Sequence, residues 1–213
     1  PENMADSLLP LLLSNDLDYG DDKWQYVVTG RERHVGVIRE DGLPYPSRAI
    51  RTKDFLYIRN FAPDRWPMGD PYEMADLDLV DPEEISRLLS EQYLLLKPIY
   101  GDLDPGPTKH WLLVNRNTPE VKPKFDLCFG KRPLEELYDL RMDPHHMTNI
   151  AGEDSYLKIL GELSEKLQRV LKEHGDPRVV EEDCKFEHPP YAGPVPDEWY
   201  AVPHNDRKWS VKS

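Results

Sequence analysis

Apolar residues recur along this chain with two different periods, and the periods separate its elements. Tyr156, Leu160, Leu163, Leu167, Val170 and Leu171 follow one another at three- and four-residue spacing, while Lys158, Glu162, Glu165 and Lys172 lie off that stripe. This spacing predicts an amphipathic helix over about 155–174, ended by Gly175 and Pro177. Other segments are short and rich in aromatic and β-branched residues. Residues 23–29 (Lys-Trp-Gln-Tyr-Val-Val-Thr) read as a strand that stops at Gly30. In 48–61, Ile50, Phe55, Tyr57 and Phe61 can pack, and Arg51-Thr-Lys-Asp54 sits between two apolar runs like a hairpin turn, so two strands are expected. Residues 136–140 give a fourth, with Leu137 and Asp139 on one face and Tyr138 and Leu140 on the other. A turn that short cannot hold a parallel crossover, so the sheet should be antiparallel. A further helix is expected over 81–96, with Asp81 as N-cap, Pro82 at the first helical position, Glu84 three after the cap and Pro98 as the stop. The expected class is therefore α+β: a small antiparallel sheet of about four strands packed against a long C-terminal helix.

Composition adds irregularity to this picture. Among 213 residues, 38% are hydrophobic, and 21 prolines against 12 glycines run through the whole chain, which argues for stiff, irregular segments around a modest core. The chain divides on these grounds into 1–22, where the apolar Ser7-Leu-Leu-Pro-Leu-Leu-Leu13 cluster reads as a junction to an upstream domain, 23–175, with a helical insertion at 70–123, and 176–213. This last part is a Pro-rich tail with Phe186, Tyr191, Trp199, Tyr200 and Trp209 scattered along it, expected to lie as a strap over the surface. The formal charge of −13 repels polyanions and argues against a nucleic-acid partner. No apolar run is long enough for a membrane span, and no basic-then-apolar leader opens the sequence. Cys128 and Cys184 form no Cys-x-x-Cys pair, and one disulfide between them stays open.

Two stretches carry a resemblance. Arg48-Ala-Ile-Arg-Thr-Lys-Asp-Phe-Leu-Tyr-Ile-Arg-Asn-Phe61 and Glu136-Leu-Tyr-Asp-Leu-Arg-Met-Asp-Pro-His-His-Met-Thr-Asn-Ile-Ala151 resemble the strands and turn of the carboxy-terminal subdomain of sulfatases. The resemblance runs over 24–67 and 124–191. Within it, Gly30-Arg-Glu-Arg-His34, Tyr45-Pro-x-Arg48 and Asn60-Phe-x-Pro-Asp-Arg-Trp-Pro67 are similar to bacterial sulfatases related to heparan N-sulfatase (N-sulfoglucosamine sulfohydrolase). It implies the carboxy-terminal portion of an enzyme hydrolysing sulfate esters or N-sulfates of sulfated sugars such as glycosaminoglycans. The alkaline-phosphatase-like catalytic domain would lie outside the chain. The partners implied are that upstream domain and a sulfated carbohydrate, and the location implied is periplasmic or secreted. Such enzymes use formylglycine, made from the Cys of a Cys-x-Pro/Ala-Ser-Arg motif, and a divalent ion, usually calcium. Cys128 is followed by Phe-Gly-Lys-Arg and Cys184 by Lys-Phe-Glu-His, so no catalytic or metal residue is assigned here and the chain alone should be inactive. A non-catalytic carbohydrate-binding or interface module sharing the subdomain is the alternative.

The candidate substrate-binding residues are Arg33, His34 and Arg48. Arginine offers a planar fork for sulfate or carboxylate oxygens, and histidine donates or accepts, so Arg33 and His34 just past a strand suit recognition of a sulfated sugar. A local ion-pair network through Glu32 competes with that reading. Arg48 and Arg51 flank strands and can instead pair with Asp54 or Asp64. Asp143-Pro144 followed by Asn149 reads as a structural turn, Pro144 pushing Asp143 out of helix and Asn149 capping backbone. His145-His146 beside it suggest a metal only superficially, because adjacent side chains diverge.

Overall fold

The structure is a computed structural model that describes residues 9–13, 25–34, 38–39, 42–71 and 99–188. The helix expected over 81–96 and the tail after His188 lie outside the described residues. The elements are α1 (Leu9–Leu13), β1 (Tyr26–Arg31), β2 (Ser47–Thr52), β3 (Phe55–Asn60), α2 (Pro107–Asn115), α3 (Lys122–Phe129), β4 (Glu135–Asp139), α4 (Leu157–Glu173) and α5 (Pro177–Val180). The fold is α+β, with a four-stranded antiparallel sheet in the order β1-β2-β3-β4. The described residues fall into two compact units.

The first unit gathers 25–30, 47–59 and 135–185, and so holds most of the sheet and the long helix α4. The hairpin turn between β2 and β3 is tied by Thr52, whose Oγ1 accepts from the Phe55 N–H at 3.0 Å. β3 pairs antiparallel with β4 in a register that sets Tyr57 against Leu137 and Ile58 against Glu136. Helix α4 buries Leu163, Leu167, Val170 and Leu171, four residues of the expected stripe. Ile50, Tyr57 and Leu137 are buried on the sheet. The Tyr57 hydroxyl donates to Glu135 Oε1 at 2.6 Å and lies 3.1 Å from Ser164 Oγ, tying β3, β4 and α4 together. Burial and the Glu135 carboxylate push this phenol up to about 12.

The long helix ends as its sequence requires. Gly175 takes a left-handed φ of 65°, its N–H donates to Lys172 O, and the Asp176 N–H reaches back to Leu171 O at 2.8 Å. These are the two bonds of a Schellman cap, which satisfies carbonyls that the helix would otherwise leave orphaned. Asp176 then caps α5 by accepting from the Arg178 N–H at 2.9 Å. The described start of the tail holds the short helix α5 and a 3-10 turn, Lys185–Glu187.

The turn after β4 is structural, as its sequence suggests. Asn149 Oδ1 accepts from the N–H groups of Leu137 and Ala151, and Asp143 Oδ2 accepts from the Thr148 N–H. His146 holds φ 55° with its ring 5.9 Å from that of Tyr138. Strand β4 is buried on both faces, with Glu136 6% and Tyr138 9% exposed beside the buried Leu137 and Asp139. Tyr138 donates its hydroxyl to Glu136 Oε2 at 2.5 Å, so the second face is polar but paired.

The second unit comprises 31–34, 38–39, 42–46, 60–71, 99–134 and 186–188. Its core is Ile99, Tyr100, Leu112, Leu113, Val121 and Phe129, with Trp66, Met68 and Phe125 packed against it. Tyr100 stacks on Phe129 with ring centroids 4.6 Å apart and meets Trp66 and Phe125 edge-on. Helices α2 and α3 open with prolines at Pro107 and Pro123. Proline fits the first turn because that turn has no carbonyl for its missing N–H to reach. Helix α3 runs past the expected insertion boundary at residue 123.

Candidate functional site

The site lies within the second unit, where β1 ends and its loop meets the turn carrying Asp102. The Asp102 side chain is 1% exposed and receives two guanidinium groups on one oxygen. Arg31 Nη2 lies 2.5 Å and Arg39 Nη2 2.8 Å from Oδ2. Arg39 is itself buried and also donates from Nε to Trp66 O and from Nη2 to Pro67 O, each at 2.8 Å. Burial holds its guanidinium below the ordinary arginine value, with Asp102 acting in the opposite direction. Two guanidinium groups thus converge on one carboxylate oxygen, and Asp70 also acts on Arg39 electrostatically.

The remaining carboxylate oxygen is the unusual atom. Asp102 Oδ1 is buried with no hydrogen-bond partner among the described residues, as is Arg39 Nη1. The group facing Oδ1 is His34, whose Nδ1 lies 3.7 Å away and whose side chain is 64% exposed. A buried carboxylate thus stands directly behind a solvent-facing imidazole.

The turn that carries Asp102 is fixed from several sides. Tyr100 N–H donates to Asp70 O, Asp102 N–H to Met68 O, and Asp70 N–H to Ile38 O. Lys109, 2% exposed, donates from Nζ to Tyr100 O at 3.0 Å and Leu103 O at 2.8 Å. Burial pushes its ammonium down to about 8. Tyr100 is held at φ 49°, a left-handed conformation that costs a bulky residue of order 1–3 kcal/mol. Opposite it, Gly69 has φ 92°, and a Cβ there would stand 2.9 Å from Gly101 N.

The residues expected from the sequence fall in different places. Arg33 is spent on backbone: Nη1 donates to Gly42 O at 2.7 Å and Nη2 to Phe186 O at 2.6 Å. Arg65 acts beside it, Nη1 donating to Pro44 O and to Glu187 at 2.9 Å, so the two arginines rivet 42–44 to 186–187. Arg48 is buried in the first unit. Its Nε donates to Asp176 Oδ2 at 2.6 Å and its Nη2 to Asp176 Oδ1 at 3.0 Å, so its partner is Asp176 rather than Asp54 or Asp64. Its stem lies so close to β1 that a Cβ on Gly30 would stand 2.8 Å from Arg48 Cδ. His34 alone of the three presents an exposed functional group. Arg31, Arg39 and Asp102 were not among the candidates. Gly101-Asp102-Leu103-Asp104-Pro105-Gly106 reads as an ordinary polar turn, and nothing local in it signals that Asp102 is buried.

The calcium and formylglycine implied for an intact enzyme do not fit the described residues. Calcium takes six or more converging oxygens, yet among the described residues no three His, Cys, Asp or Glu side chains gather to hold a metal ion. The carboxylates of Asp102, Asp139 and Asp176 are each turned onto arginine. Cys128 and Cys184 are free thiols outside the required motif, and Cys184 is buried. No reaction step is therefore assigned to this chain. Among the described residues no helix is long and apolar enough to cross a membrane.

No protein-family model matches the chain. It is similar to two ulvan-active sulfatases of Formosa agariphila. It is 24% identical to one over 177 residues, which is 83% of this chain and 26% of that protein. It is 30% identical to the other over 143 residues, 67% of this chain and 19% of that protein. The chain thus spans about a quarter or less of the length of these curated relatives. The matches support a sulfatase-related family for this chain.

Proposed function

We propose that this chain is part of a sulfatase acting on sulfated sugars, and that it supplies substrate recognition and pocket wall rather than the reacting groups. The observation that carries the reading is the sequence similarity to ulvan-active sulfatases, together with an arginine- and histidine-bearing cluster that reaches solvent on an otherwise acidic chain. A sulfated sugar is anionic, and a chain of net charge −13 meets it only through such a local site. His34 is two-thirds exposed and reaches solvent; Arg31 is one-third exposed while bonded to Asp102 and Pro67 O, and Arg33 and Arg48 are held by backbone and by Asp176. The nucleophile and the metal belong to a larger domain of the same protein, against which this chain docks. The ulvan-active relatives favour a sulfate ester of a sulfated polysaccharide as substrate. The N-sulfoglucosamine reading rests on the likeness of the Gly30–His34, Tyr45–Arg48 and Asn60–Pro67 segments alone.

Sulfate release tests this directly. The whole protein should liberate sulfate from ulvan-derived oligosaccharides, while the 213-residue chain alone should turn over neither these nor an aryl sulfate. Turnover by the chain alone, free of contaminating enzyme, overturns the division of labour; absence of any desulfation by the whole protein overturns the family activity. Release from N-sulfated glucosamine in preference to ulvan oligosaccharides would move the substrate to the N-sulfohydrolase class.

A further inference from the structure

Three unfavourable features converge at Asp102, and local rules are broken together mainly where function requires it. Among the described residues the buried carboxylate has no partner at Oδ1 and the buried Arg39 beside it none at Nη1, and Tyr100 two residues earlier is held in the left-handed region. Leaving a buried polar atom without a partner forfeits its hydration with no compensating bond. A fold that only needed a salt bridge would turn both carboxylate oxygens onto the two arginines. Here both guanidinium groups bind Oδ2, and Oδ1 is left facing His34.

We propose that Asp102 is the positioning residue for His34, holding the imidazole with Nδ1 inward so that Nε2 is offered to a hydroxyl of the sulfated sugar. The chemistry follows from what each group can do. An ionised carboxylate only accepts, so the neutral ring that faces it must carry its proton on Nδ1. Nε2 then bears a lone pair and accepts from a donor. A sulfate oxygen is itself an acceptor and cannot supply that donor; a sugar hydroxyl can. The 3.7 Å separation lies just beyond hydrogen-bond distance, and a small rotation of the exposed ring closes it. Asp102 itself cannot follow, because Arg31, Arg39 and the Lys109-clamped turn fix it. The site therefore discriminates by hydroxyl placement at His34. The sugar contact rests on the sulfatase reading; the positioning does not.

The experiment has two arms. Long-range nitrogen–proton correlation on the neutral imidazole of His34, recorded on the labelled chain at alkaline pH, should show the Nδ1–H tautomer as the dominant form. A dominant Nε2–H tautomer overturns the positioning. This arm needs no variant that risks misfolding. In the whole protein, His34→Ala should raise KM for ulvan oligosaccharides about tenfold with kcat within about twofold, tenfold corresponding to about 1.4 kcal/mol. Asp102→Asn, checked for folding by circular dichroism, should raise KM similarly and add little on top of His34→Ala. Full additivity of the two changes overturns the coupling. The expected tautomer with unchanged KM in His34→Ala removes the sugar contact, and the expected tautomer with no desulfation by the unaltered protein removes the sulfatase reading while the positioning stands.

Discussion

Arg48→Met separates a structural arginine from a substrate-binding one. Arg48 was a candidate for sulfate recognition, but its side chain is 7% exposed and meets Asp176, 16% exposed, through two charge-assisted hydrogen bonds of 2.6 and 3.0 Å. Methionine keeps most of the stem that lies against Gly30 and removes only the guanidinium. Breaking a buried pair from one side costs about 3–5 kcal/mol, because the remaining charge loses its compensation. Asp176 keeps some solvent contact and still accepts from the Arg178 N–H, so the lower end, about 3 kcal/mol, is expected. Burial raises the Asp176 carboxyl, but Arg48 and the Arg178 N–H more than offset this and hold it below the usual carboxylate value. A depressed folded-state value stabilises above the unfolded value and is lost as pH falls through it. The difference between wild type and variant should therefore be full near pH 7 and shrink below about pH 4. Urea unfolding followed by circular dichroism at pH 7 and at pH 3 measures both numbers, and desulfation kinetics of the whole protein measures KM. Unchanged stability with a several-fold rise in KM would refute the structural account and return Arg48 to the binding site.

Other consequences can be checked with the same methods. Leu163→Ala removes a side chain 5% exposed on the buried face of α4 and should cost roughly 2–5 kcal/mol, read as a lower denaturation midpoint at constant m-value; an unchanged midpoint would show that the stripe does not pack. Lys109 is depressed to about 8 from 10.5, so the folded state holds fewer protons than the unfolded state between those values. Its contribution to stability should rise between pH 8 and 10, by at most about 3 kcal/mol, and Lys109→Met should lack that rise. Hydrogen bonds from Arg141 push Asp139 down to about 2 from 3.8, so this pair stabilises above pH 4 and is lost as pH falls from 4 to 2. Acid unfolding curves of wild type and Arg141→Met should converge across that window, and parallel curves would contradict the pairing.

The parts of the fold that were legible in the sequence are those specified locally. The stripe from Leu160 to Leu171 carries its own period, and Gly175 with Asp176 carries the Schellman cap that ends it. The hairpin between β2 and β3 is legible for the same reason, since the turn at Lys53-Asp54 separates two strand-like runs. A helical insertion was expected over 70–123, but the individual helices α2 and α3 were not legible. Pro107 and Pro123 look like breakers until it is known that they open helices, and neither helix has a clear apolar stripe. The double-sided burial of β4 also depends on what covers Glu136 and Tyr138, which alternation along the strand cannot report.

The site was legible only at its exposed tip. Loop chemistry marked Arg33 and His34, yet which arginine is consumed by backbone depends on Gly42 O and Phe186 O, and the latter lies far along the chain. Asp102 is joined to Arg31 across seventy-one residues, and that distance hides the pair from any local reading. Arg39 is similarly hidden, because its partners Trp66, Pro67 and Asp102 come from two separate turns.

The account stands or falls most directly on how His34→Ala changes the desulfation of two substrates by the whole protein. One is an ulvan-derived oligosaccharide, which carries sugar hydroxyls for His34 to meet; the other is a small aryl sulfate, which carries none. If this chain supplies sugar recognition and not reacting groups, KM for the oligosaccharide should rise about tenfold, the energy of one net hydrogen bond, while kcat and KM for the aryl sulfate stay within about twofold. Equal losses on both substrates, falling mainly on kcat, would place His34 in the reacting machinery and contradict the account.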